Sequence, residues 1–417
     1  MSDLIFNSVN TPIPGLRNDL DIMPIQHEGA EYLYFYDMLG YTPDNFVLKR
    51  ETSYFLSMFD GEKSVTDIIH QIPQNGDSIR KHDLLDFIQF LDSNLLLRSD
   101  HFKAFSNERE LKFEESDVRP PSCAGGSYPA DPVELRAMLE EHFSKLDSAE
   151  PVDNIKALYA PHIDPRVGLK SYIKAFAPLK NVQPKRVVLI ATSHYAGLYG
   201  SMYQNKPFIG SHKHFRTPLG RVTNDREGME LISTNATELG ISLHDRAHRI
   251  EHSIEMHLIF LQYLWKHDFT LLPILAGSFD ELLYLDNGHT AKKIDNMTDF
   301  LRNTYGSDDE TLFLISGDLA HFGKKFGDPQ PASNYFEEVQ KFDQQFLDKA
   351  TKAAPDQIIH LMRNSMDRYR ICGFPPLLTF LKSIPNVKGK VLSYDLWDET
   401  ERDSAVTFGS VLYTTIQ

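Results

Sequence analysis

Metal-binding and proton-carrying side chains recur at one kind of place in this sequence, just beyond short apolar runs. ALYAPH puts His162 two residues past one run, and VVLIATSH puts His194 three residues past another. TLFLISGDLAH puts Asp318 and His321 just past a third. Imidazole and carboxylate are groups that ligate transition metals or carry protons near neutral pH. Any one of these histidines alone reads as a loop or capping residue with a local hydrogen bond. Three strand ends delivering them together is a different matter, because ligands of open α/β sheets bind outside the carboxyl ends of the strands.

One thiol joins the set. Cys372 lies in YRICGFPP, ahead of a Gly-Phe-Pro-Pro turn expected to open a helix at Pro375. Near a helix N-terminus a thiol is expected to ionise more readily and serve as ligand or nucleophile. A buried, inert cysteine is the plain alternative. The other cysteine, Cys123, reads as structural. The stretch 250–265, IEHSIEMHLIFLQYLW, reads as a helix on which His252 and Glu255 share a face and His257 turns to another. Its two histidines are five apart, so this is not the H-E-x-x-H of zinc proteases. His252 and Glu255 are expected to orient ligand imidazoles from behind, or else to form a partly exposed helix face. In HFRTPLGRVTND (214–225), Thr217, Pro218 and Gly220 are expected to shape a loop over the site.

The elements that must position these residues follow from the apolar runs. KALYA (156–160), RVVLIA (186–191), TLLPIL (270–275), TLFLIS (311–316), KVLSYD (390–395) and AVTFGSVLY (405–413) alternate with helical segments. Continuous apolar strands between helices predict a largely parallel sheet covered on both faces, in the α/β class. The last of them is read as a possible sheet edge, open to dimerisation.

The first hundred residues differ. YFLSMFDGEKSVTDIIHQI reads as helix, Asp-Gly turn and second helix, with Ser64 as N-cap and Asp67 at its third position. HDLLDFIQFLDSNLLL (82–97) is a further amphipathic stretch. With β segments on either side, this predicts a small winged-helix (α+β) unit over 1–106. Residues 107–121 are charged, run toward a Pro-Pro pair and read as a linker, which leaves 122–417 as the second domain. The net charge of −15 and the lack of a basic patch argue against nucleic acid as partner. No run is long and apolar enough to span a membrane, and the N-terminus lacks a secretory pattern. Two cysteines are too few for a disulfide framework, so the cytoplasm is the expected compartment.

In order along the chain, AGGSYPAD (124–131), YAPHID (159–164), LIATSHY (189–195), TPLGRVTND (217–225), EHSIEMHL (251–258), ISGDLAHFG (315–323) and ICGFPP (371–376) resemble the MEMO family. Bacterial members are known as the B component of the AmmeMemoRadiSam system. The resemblance covers nearly all of 122–417 and implies a fold similar to the class III extradiol dioxygenases, which are non-haem iron enzymes. It implies that His162 and His194 stand where those enzymes place two histidine ligands, with Cys372 in place of their glutamate. By the same resemblance His321 corresponds to their acid–base histidine, with Asp318 beside it. The sequence departs from the family after the first ligand, where His162-Ile163-Asp164-Pro165 puts an acid that could alter substrate access or add a ligand. The N-terminal helical pattern resembles the PqqD-type domains that hold precursor peptides, which implies a peptide or radical-SAM protein as partner.

Two imidazoles and a thiolate form a soft donor set suited to copper or zinc, with iron still accessible. A redox-active copper or iron ion would make the protein an oxidoreductase in which His321 moves a proton. A zinc ion would make it a hydrolase with Asp318 and His321 as base and orienter. The third reading is a non-catalytic adaptor that binds metal or peptide.

Overall fold

The computed structural model describes residues 4–72, 79–146 and 152–416. The chain divides into two compact units, Met1–Glu115 and Ser116–Gln417.

In the first unit the strands Leu20–His27, Ala30–Asp37 and Val47–Lys49 form an antiparallel sheet in that order. Ser64 caps the Val65–Gln71 helix as its sequence predicts. The Ser64 side chain accepts from the Asp67 amide, and the Asp67 carboxylate accepts from the Ser64 amide. The Lys81–Ser93 helix buries Leu84, Ile88 and Leu91 against Val65, Ile68 and Phe35. The expected linker over 107–121 is corrected in its first half, where NERELKFEE continues a helix spanning Asp100–Glu115. Charge alone does not break a helix. Glu108 pairs with Lys112 one turn on, Phe113 is buried, and buried Glu110 accepts the Tyr41 hydroxyl.

The second unit is built on a 12-stranded sheet. At its centre Ile155–Ala160, Thr311–Ser316, Arg186–Thr192 and Thr270–Ala276 lie side by side, all parallel. Side chains alternate between two apolar layers. Ala157, Tyr159, Val188 and Ile190 face the helices His289–Tyr305, Phe336–Thr351 and Phe374–Ser383. Leu158, Leu189 and Leu314 face the helices Pro132–Phe143, Pro165–Phe176 and His252–Leu264. Cover on both sides is why these strands show no polar alternation. The strand Ser404–Thr415 runs antiparallel to Ile155–Ala160 and is not the edge its sequence suggested. Along its other side it pairs with Val387–Glu399 over its full length.

The register matters most for function. Ala160 pairs with Ser316, Ser316 with Ala191, and Ala276 with Thr192. The parallel strands therefore end level, and the residues that follow them start from one edge.

Asp343, on the Phe336–Thr351 helix, is buried. Its Oδ2 accepts the Tyr394 hydroxyl at 2.9 Å, and Thr407 also hydrogen-bonds the carboxyl. Burial pushes its carboxyl up to about 7. The folded state thus keeps a proton that the unfolded chain loses above about pH 4. The stabilisation is complete below that pH and fades as pH rises through 7. Asp343→Asn should stabilise this unit at pH 8 by on the order of 4 kcal/mol and raise its melting temperature accordingly. The gain should vanish by pH 4 in calorimetric scans across that range; an equal gain at both pH values would contradict the assignment.

Candidate metal centre

His162 leaves the end of the Ile155–Ala160 strand after Pro161 and is buried. Its amide donates to Asp318 Oδ1 at 2.9 Å, and its Nδ1 meets Ser316 Oγ at 2.9 Å. The Ser316 hydroxyl spends its own proton on the Ser253 carbonyl at 2.6 Å. The serine oxygen must therefore accept from Nδ1–H, which leaves Nε2 as a bare lone pair. That Nε2 lies 3.2 Å from Cys372 Sγ.

His194, past the end of Arg186–Thr192, is held by one carboxylate. Its amide donates to Glu251 Oε2 at 2.7 Å and its Nδ1 donates to Oε1 at 2.9 Å. Glu251 is also the N-cap of the His252–Leu264 helix and accepts from the Ser253 amide at 3.1 Å. His252 stacks on His194 with ring centroids 4.6 Å apart.

Cys372 reaches the same space from the other side. Its carbonyl accepts the Thr192 hydroxyl at 2.7 Å, and its sulfur accepts the Asp318 amide at 3.2 Å. The close approach requires glycine on both segments. A Cβ at Gly317 would fall 2.2 Å from Gly373 Cα, and one at Gly373 would fall 2.2 Å from Tyr159 Oη. Asp318 spends Oδ1 on the amides of His162 and Ile163. His321 directs Nδ1 at the carbonyls of Leu319 and Arg370, each at 3.1 Å, so its Nε2 is the nitrogen left over.

The donor atoms of His162, His194 and Cys372 all lie within 4.8 Å of one another, as do those of Asp318, His321 and Cys372 and those of His194, Glu251 and His252. Metal–nitrogen and metal–sulfur bonds of ~2.0–2.3 Å put two ligands of one ion no more than about 4.6 Å apart. The donor atoms are thus gathered at close to the spacing that one ion requires. Outer hydrogen bonds on each Nδ1 are what metal-binding imidazoles ordinarily require.

Electrostatics follow from burial. Burial drives His162 far below the usual imidazole range, helped by the neighbouring His194 and His252. Burial alone would lower His194 too, but the Glu251 carboxylate outweighs it and the net shift is upward. Burial opposes ionisation of Glu251, yet His194 holds it down to about 2. Burial lifts Asp318 to about 7 against the two amides that bind it, and lowers His321 to about 4. Cys372 is corrected in direction. Its thiol is raised well above the usual value, because burial and Asp318 overwhelm any help from the helix that follows.

Three further expectations change. Glu255 does not orient an imidazole; it accepts from the fully buried Arg119, the amides of Ser122 and Cys123, and the Tyr128 hydroxyl. The orienting carboxylate is Glu251, which helix-face spacing could not find because it precedes the helix. Its signal was its position, an acid at the N-cap directly before His252. Asp164 is no ligand; it caps the Pro165–Phe176 helix, accepts the Ser127 hydroxyl at 2.9 Å and pairs with Arg166. The Thr217–Gly220 turn lies away from the site, since Thr217 bonds Gln262 near the far end of the helix whose start carries His252. His257 is buried among Tyr172 and Phe176, on the side away from solvent.

The profile of the Memo-like proteins matches residues 119–412, which takes in every residue of this centre. The chain belongs to the Memo-like family. It is similar to a MEMO1 family protein of Aquifex aeolicus, 28% identical over 372 residues, 88% of this chain and 92% of that one. A Methanosarcina barkeri MEMO1 family protein is 27% identical over 297 residues, 70% of this chain and 97% of its own length. Protein MEMO1 of the mouse is 26% identical over 280 residues, 65% of this chain and 85% of its own. The Aquifex alignment is longer than Ser116–Gln417 and so reaches into the N-terminal unit. The Methanosarcina barkeri protein is nearly all used in its 297-residue match, about the length of Ser116–Gln417.

The two glutamates of the Memo-like helix should separate cleanly. Glu251→Gln should weaken metal affinity by ~10–100-fold with the fold retained, read by competition against a chromophoric chelator. Glu255→Gln strands the Arg119 charge and should cost about 3–5 kcal/mol in denaturant unfolding, with affinity little changed. Equal effects of both variants on affinity would refute this division of labour.

Proposed function

We propose that the Memo-like unit holds a redox-active copper or iron ion through His162, His194 and Cys372 and works as a metal-dependent oxidoreductase. The observation that carries this reading is the convergence of two imidazole nitrogens and one sulfur, each imidazole with its other nitrogen already committed. The implied likeness to class III extradiol dioxygenases supports it by analogy. A copper or iron ion bound there would supply one-electron exchange and oxygen activation.

The chain's own residues do the rest. Ser316 fixes the tautomer of His162, and Glu251 fixes the ring of His194 while keeping it electron-rich. Cys372 sheds its proton when it ligates. His321, neutral at pH 7, offers Nε2 to a substrate proton, and Asp318 stands beside the thiol as a second proton carrier. A zinc ion on the same donors, with Asp318 and His321 serving hydrolysis, is the competing chemistry; a carboxyl raised to about 7 would suit a general base.

The N-terminal unit is assigned a docking role, for a precursor peptide or a radical-SAM protein, on the strength of its PqqD-like pattern. That an archaeal relative is nearly complete without as much chain supports an accessory role. The working compartment proposed is the cytoplasm. Among the described residues no helix is long and apolar enough to cross a membrane.

Protein purified without added metal should carry near-stoichiometric copper or iron by elemental mass spectrometry. Cys372→Ala should lose it, along with any oxygen consumption with a chemical reductant. Activity with zinc alone and no need for oxygen would favour the hydrolase. Protein that stays metal-free after incubation with copper, iron and zinc would end the metal reading and leave the adaptor.

A further inference from the structure

We propose that the second unit carries an oxyanion site apart from the metal centre, in which His214, Arg221 and Arg226 hold free phosphate or a phosphate monoester. The hairpin of His214–Thr217 and Gly220–Asn224 brings these residues together. Strand alternation turns Phe215 and Val222 into the apolar layer, so His214, Arg216 and Arg221 share the opposite face. Arg216 and Arg221 are direct cross-strand partners, an arrangement that like charges ordinarily oppose. The turn between them is pinned, because the Leu219 amide donates to the Thr217 hydroxyl and that hydroxyl donates to Gln262.

What points to a ligand is a pair of facing donors. His214 is only 3% exposed. Its Nδ1 accepts the Asn224 amide at 3.0 Å, so the ring proton must sit on Nε2. Nε2 lies 3.3 Å from Arg226 Nη2, which can only donate. Two N–H groups thus meet with no acceptor between them, and one belongs to a buried ring. An unmet buried donor is costly, and an anionic oxygen seated against both would give each a charge-assisted bond. Burial, then the charges of Arg221 and Arg226, hold His214 below the usual imidazole range, so both guanidiniums stand close to the ring.

No acid fills the place. Arg216, Arg221 and Arg226 are all exposed, and among the described residues none has an ion-pair partner, in a chain of net charge −15. Asp225 is committed to Arg186 and to the Gly228 amide. Asp117 is exposed and near enough to favour a charged His214, yet it lies beyond ion-pair distance of all three arginines. Phosphate suits the set, since its several oxygens can take a fork from each guanidinium and the imidazole N–H together.

The test is titration calorimetry of the full-length protein with inorganic phosphate and with glycerol 3-phosphate, at low ionic strength. Saturable binding is expected. Arg226→Gln and Arg221→Gln should each weaken it by about tenfold or more, with the thermal melt unchanged. Both side chains are exposed, so either variant serves as the check should the other fold poorly. His162→Ala should leave the binding as it was. Tighter binding of glycerol 3-phosphate would support the site and identify an organic phosphate as its ligand. Equal binding would support it with the free anion sufficient. No saturable binding, or binding that neither arginine variant weakens, would overturn the proposal. Binding lost in His162→Ala would move the anion to the metal centre and equally refute it. None of these results depends on the function proposed for the metal centre.

Discussion

The constraint on which this molecule depends is the level ending of its parallel strands. Paired residues at Ala160, Ser316 and Ala191 mean that three successive loops start from one line. Neighbouring strands lie only ~4.8 Å apart, so side chains two or three residues past their ends meet without any long reach. A one-residue slip in any strand would exchange its two apolar faces and carry its loop out of register with the others. The same apolar alternation that builds the two core layers therefore sets the separation of His162, His194 and Asp318.

On that frame the protein places charge in a dry interior, and each buried charge has a named partner. Glu251 is answered by His194 and by two amides, and Glu255 by Arg119, two amides and two hydroxyls. Asp318 differs: it receives amides but no cation. A fully buried carboxyl in that situation must either hold a proton or await a positive charge. Its raised pKa is one answer and a bound ion is the other.

The sheet and the primary donors were legible because both depend on short-range pattern. Unbroken apolar runs marked the strands, and His162, His194, Asp318 and His321 were found by their distance from those runs. What escaped depended on tertiary direction. Glu251 acts from an N-cap, a position that helical-face periodicity ignores, so face spacing points to Glu255, four residues further on, instead. Asp164 looked like a candidate ligand by proximity in sequence, yet the backbone turns it into a cap for the helix that Pro165 begins. Residues 107–115 were read as linker from their charge, although a helix tolerates charge where one face still buries Phe113 and Glu110. The strand Ser404–Thr415 buries its first ten residues, and the apolar run 405–413 within it would be a liability in solution at a sheet edge.

The chemistry of Cys372 distinguishes a free thiol site from a ligand site. Without a cation the thiol is held well above its usual range, because burial and Asp318 both oppose a negative sulfur. A nucleophilic or peroxide-reducing cysteine needs the opposite arrangement, a nearby positive charge and access to water. The imidazole nearest it, His162, offers a lone pair rather than a proton, a choice that Ser316 enforces. Imidazole nitrogens and a carboxyl aimed at the same space as the sulfur make a poor free thiol site. It becomes favourable once a metal replaces the thiol proton, since the same burial then strengthens each metal–ligand attraction.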